Sequence, residues 1–185
     1  MTVLHCKSPP LALSWRLLAT TILAATVWAT PALAQNSGAY DKFLVGKYCE
    51  ARDNWLNDWK LKDSTAAFGL AELYARGLCV KEDQALASRW YLRSAHAGSA
   101  RARSELGIRY AFGKGVNQNY FKAFVWLRVA KLTASPWEKG LADSAQRNLE
   151  TISRYLSAQD MQTADAMADD FSRTYKLPPS FDSLD

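Results

Sequence analysis

Several groups of residues in this 185-residue chain have the types from which chemistry is built. Cys6, Cys49 and Cys79 are thiols, and an even pair closes as a disulfide where the compartment is oxidising. His96 would need a second ligand to hold a metal, or a free thiol at Cys79 to activate a nucleophile. Asp169 and Asp170 are adjacent, so on a helix their carboxylates diverge and cannot work as a facing acid–base pair. Gly113-Lys114-Gly115 lacks the longer spacing and the hydroxyl residue of a phosphate-binding loop. Arg89, Arg93, Arg101, Arg103 and Arg109 form a basic cluster whose default reading is a solvated face, with acidic protein or anionic glycan contact as the next choice. None of these groups brings a nucleophile, a base and an oxyanion donor into one region. The expectation is no catalytic residue, no metal and no cofactor.

The elements that would position these residues are helices. From Tyr40 to Lys176 there is one proline and no alternation with a period of two, so the chain reads as all-α. Gly77, Gly98 and Gly113 each follow an apolar-periodic segment, as helix ends require. The pattern predicts helices over 40–62 (with a possible internal break), 64–76, 82–97, 100–112, 118–133, 136–155 and 157–175. Ser135-Pro136-Trp137-Glu138 is a helix start, with a cap, a proline at the first turn and a glutamate that reaches back. Ser157-Ala158-Gln159-Asp160 reads as a similar start.

One stretch repeats at an offset of 36 residues. Ala66, Leu70, Tyr74, Gly77, Val80, Ala87 and Trp90 recur as Ala102, Leu106, Tyr110, Gly113, Val116, Ala123 and Trp126. A fixed period of this length means stacked supersecondary units, each burying its apolar face on the next. Ala51 and Trp55 stand 36 before Ala87 and Tyr91, so an incomplete unit precedes the two full ones. Leu149, 36 past Gly113, has no glycine loop, and the last helices read as a cap.

The pattern Ala-x-x-x-Leu-[Gly/Ala]-x-x-Tyr-x-x-Gly-x-x-Val, followed by Ala-x-x-Trp, resembles the Sel-1-like repeat, a relative of the tetratricopeptide repeat. Ala71 and Cys79 replace the usual glycines of the first unit, and Asn119 the aspartate of the second. The resemblance implies α/α hairpins stacked in a right-handed superhelical solenoid, and a role as adaptor or scaffold binding a protein or peptide partner. It divides the chain into a leading helical unit over 35–63, repeats over 64–99 and 100–135, capping helices over 136–176 and a tail over 177–185. In related solenoids the first helix of each pair lines the concave face. Outside the packing motif those helices carry Phe68, Glu72, Arg76, Arg101, Ser104, Ile108 and Phe112, which become the candidate partner-binding residues, with packing against the caps as the alternative role of the apolar ones. The second functional reading is an envelope enzyme acting on cell-wall material, with a site between the repeats and the caps.

Compartment follows from residues 1–34. Lys7 and Arg16 give a positive start, Leu17 to Ala29 an apolar run, and Ala32-Leu33-Ala34 a cleavage site, the pattern of a secretory signal. The apolar run is shorter than the ~20 residues of a spanning helix. Export to a periplasm is the expectation, with no nucleic-acid partner and no stable membrane insertion after cleavage. The full chain carries +5; without Lys7 and Arg16 this becomes +3. Residues 64–135 hold eleven bases and four acids, while 157–185 hold two bases and six acids. Cys6 would leave with the signal. If 48–62 and 64–76 fold back on each other at Asp63 and Ser64, Cys49 and Cys79 reach the same end of the hairpin. A bridge is the expectation there, and two separate buried thiols the alternative.

Overall fold

The computed structural model describes residues 37–174, and all regular structure among them is helical. The signal segment and the tail fall outside the described residues. The helices are α1 (Ser37–Leu44), α2 (Tyr48–Trp59), α3 (Ser64–Arg76), α4 (Gln84–His96), α5 (Ala100–Phe112), α6 (Tyr120–Thr133), α7 (Lys139–Ile152) and α8 (Ala158–Thr174). The helix expected over 40–62 is two, broken where Gly46 takes a positive φ of 79°. The helix expected over 136–155 opens with a 3-10 turn at Pro136–Glu138 and closes with another at Ser153–Tyr155.

The 36-residue period governs where helices begin. N-caps fall at Lys47, Asp83 and Asn119, and again at Asp63, Ser99 and Ser135. Most of them work through side-chain oxygens that accept from otherwise orphaned helix N–H groups. Asp83 accepts from the Leu86 N–H at 2.8 Å and Asn119 from the Lys122 N–H at 2.9 Å. Asn119 therefore does the work of the aspartate it replaces. Ser135 keeps the phase for one more step: its N–H donates to Glu138 Oε2 at 3.0 Å, and the motif then lapses into the cap.

Helices α3 and α4 form one antiparallel hairpin and α5 and α6 the next, with α2 packed on α3 and α4 on α5. Helices α7 and α8 both pack on α6 and close the far end. Ala66, Leu70, Ala87, Trp90, Ala102, Leu106, Ala123 and Trp126 are all buried, as are Ala51 and Trp55 of the leading unit. Small residues let the helices approach while large ones fill the seam. Gly107 shows how close: a Cβ there would lie 2.6 Å from Leu127 Cγ. Phe171 on α8 is fully buried against Trp126, with ring centroids 5.8 Å apart, and Arg128 on α6 pairs with Asp165 on α8 at 2.7 Å. The stack is an all-α solenoid of helix hairpins.

Cys49 and Cys79 are bridged, their Cα atoms 5.2 Å apart. The bridge ties the start of α2 to the loop after α3. Cys79 sits at φ 60°, a left-handed conformation, at the position that Gly115 occupies in the second repeat with φ 68°.

Candidate binding groove

A cavity of about 500 Å³ opens between the helices of the stack. Helix α3 contributes Thr65, Phe68, Gly69 and Glu72; helix α5 contributes Arg101, Ser104, Glu105 and Ile108. These come from one face of each helix because residues three and four apart share a face. Tyr40 and Phe43 of α1, Trp55 of α2, and Leu141, Ser144 and Asn148 of α7 complete the lining. Concave apolar walls carrying a few polar groups are the general form of a ligand site.

Of the seven residues expected on the concave face, Phe68, Glu72, Arg101, Ser104 and Ile108 line this cavity. Arg76 stands beside it, with Nη1 3.8 Å from Glu72 Oε2 and its guanidinium 5.9 Å from the Phe43 ring centroid. Phe112 lies at the end of α5, 71% exposed, and does not line the cavity. Glu105 escaped the sequence reading although it sits four residues after Arg101 on the same helix face. Tyr40, Phe43 and the α7 residues lie on helices outside the repeat, where the period carries no information.

The polar groups of the groove are unevenly matched. The Tyr91 hydroxyl, on α4, donates to Glu72 Oε1, and burial together with that bond holds the phenol well above its ordinary value. Burial, then the neighbouring Glu72 carboxylate, pushes Glu105 above the usual carboxylate range; Arg109, Lys114 and Arg101 pull the other way. Arg101 stands over the Phe68 ring, 5.7 Å from its centroid.

The basic cluster is not one solvated surface. Arg103 is 1% exposed and Arg109 5%, because both span the seams between helices. Arg103 Nε donates to the Ala95 carbonyl at 3.0 Å and Nη1 to Thr133 Oγ1 at 2.6 Å. Arg109 Nη1 reaches Gln84 Oε1 at 3.1 Å, Ser88 Oγ at 3.2 Å and the Lys114 carbonyl at 3.3 Å. Its guanidinium also lies 4.5 Å from the Tyr91 ring centroid. Gly113-Lys114-Gly115 belongs to the same joint: a Cβ on Gly115 would fall 2.1 Å from the Gln84 carbonyl oxygen.

His96 lies outside the groove, at the end of α4, edge-on to Trp126 and Phe171 at 5.8 and 6.4 Å. His96 thus sits where the repeats meet the capping helix α8, packed among aromatic rings rather than in the groove. Asp169 and Asp170 are exposed on α8. No described helix is long and apolar enough to cross a membrane.

Residues 64–99 and 100–131 match the family model of the Sel1 repeat. Among solved structures the chain is similar to a protective antigen of uropathogenic Escherichia coli strains displaying an SLR fold, with a TM-score of 0.68 and 22% identity over 83% of this chain and 32% of that one. It is also similar to a Sel1 repeat protein from Oxalobacter formigenes, with a TM-score of 0.50 and 29% identity over 52% of this chain and 40% of that one. The chain thus spans less than half the length of either. No curated protein matches it.

Proposed function

We propose that the protein, whose residues 64–99 and 100–131 match the Sel1 repeat model, is an exported, periplasmic adaptor that holds a segment of a partner protein in the groove between α3, α5 and α7. The observation that carries this reading is the groove itself, walled by the first helix of each repeat and lined further by residues of α1, α2 and α7. Phe68 and Ile108 supply the apolar contact, and the polar groups fix orientation.

Replacing both Phe68 and Ile108 by alanine is expected to weaken a groove-bound peptide by about ten-fold or more while leaving helicity intact. Titration of a labelled peptide by fluorescence polarisation checks this. Unchanged affinity of every bound peptide would remove the groove as the site.

Export has its own measurement. Expressed from its own start in a Gram-negative host, the chain is expected in the periplasmic fraction, shortened to begin at Gln35. Mass spectrometry of a cytoplasmic product retaining residues 1–34 would sink the proposal of export.

A further inference from the structure

The groove's charges select among possible occupants. Glu72 and Glu105 both face it, from α3 and α5. Glu72 is already engaged, accepting from Tyr91 and lying near Arg76. Glu105 is half-buried and makes no hydrogen bond or ion pair with a described residue. A carboxylate drawn out of water without a donor is destabilised, and a second carboxylate nearby adds to this. The raised titration of Glu105 has these two causes in that order. The nearby cations do not remove them. Arg109, Lys114 and Arg101 offset part of this, but Arg109 is held by Gln84, Ser88 and the Lys114 carbonyl and Arg101 lies over Phe68, so that burial and Glu72 still prevail at Glu105. A cation brought from outside would relieve both the desolvation of Glu105 and its repulsion by Glu72, whereas an anion would worsen both.

We propose that the groove receives a lysine or arginine side chain of an otherwise apolar partner segment, its cation resting against the Glu72–Glu105 pair and its apolar neighbours on Phe43, Phe68 and Ile108. This deepens the groove reading and rests on it. It differs from the acidic-partner alternative to a solvated basic face, since Arg103 and Arg109 are buried in the seams of the stack rather than displayed on its surface.

The test uses random dodecapeptides displayed on phage, selected on the purified protein at physiological salt. Selected peptides are then titrated against the parent protein, Glu105→Gln, Arg101→Ala and the Phe68→Ala/Ile108→Ala double variant. The expected result is that selected peptides share a lysine or arginine. Changing it to glutamine, or making Glu105→Gln, should each weaken binding about ten-fold, and the two losses together should add little. Arg101→Ala should tighten binding, because a like charge is removed from the wall. Glu105→Gln is expected to melt no lower than the parent, since it deletes a poorly solvated charge, so lost affinity would not be lost folding.

Peptides that depend on Phe68 and Ile108 but lack a basic residue, or ignore Glu105→Gln within about two-fold, overturn the cation site and leave the groove standing. Acidic peptides weakened by Arg101→Ala overturn it likewise. If no selected peptide responds to the Phe68→Ala/Ile108→Ala variant, both readings fall together.

Discussion

Arg109→Glu is expected to lower the folding stability of this protein by about 3–5 kcal/mol, as when a charge is left buried without its partners. The guanidinium holds Gln84 and Ser88 of α4 and the carbonyl of Lys114 at one seam. A carboxylate there faces acceptors instead of donors, beside Glu105. The melting temperature should fall by roughly 10 °C, which thermal unfolding monitored by circular dichroism would read. Arg109→Met, which keeps the stem over Tyr91, should lose about 1–3 kcal/mol, the range for unsatisfied buried polar groups. A stability change in Arg109→Glu no larger than that of an exposed substitution would mean that the arginine is not what joins the hairpins.

Removing the bridge between Cys49 and Cys79 is the second large effect. The cysteines are 30 residues apart, and opening a loop of that length should cost about 3–4 kcal/mol through the freedom regained by the unfolded chain. The substitute at position 79 matters separately. Cys79 has φ 60°, where an L side chain is disfavoured by about 1–2 kcal/mol. With Cys49→Ser in the background, Cys79→Gly should therefore be more stable than Cys79→Ser by about 1 kcal/mol, measured by urea denaturation. Equal stabilities would show that the left-handed turn is held without strain. Alkylation of the denatured, unreduced protein provides the direct check, since neither Cys49 nor Cys79 should take the label.

The helix starts were legible because they depend on local chemistry. Asp63, Asp83, Ser99 and Asn119 accept from the first turn that follows them, so the side chain and the boundary are the same fact. The seam residues were legible because their sizes recur. The buried arginines were not read from charge, which ordinarily marks a surface. Yet the period itself held the signal: 36 residues before Arg103 and Arg109 stand Ala67 and Leu73, both fully buried. Comparison of repeats says which positions face inward, even where one copy is charged.

The groove was half legible for a different reason. Its floor lies on α3 and α5, inside the repeat, and five of the seven residues assigned to that face do line it. Further lining comes from α1 and α7, whose placement depends on packing between segments distant in sequence. No spacing within either helix reports that Phe43 and Leu141 bound the same space. Phe112 shares the face of Ile108 by spacing, but as the last residue of α5 it is exposed and does not line the cavity.

The common phase of the caps makes residues 84–119 an interchangeable cassette. It begins after Asp83 and ends on Asn119, two caps with the same job. It also contains both halves of the Arg109 clasp, since Gln84, Ser88, Lys114 and Gly115 all lie within it. An in-frame duplication of that block would bring its own fastening and rejoin the chain at a boundary already shaped to accept it. Such a scaffold can lengthen by copying alone, one hairpin at a time, without inventing a new joint.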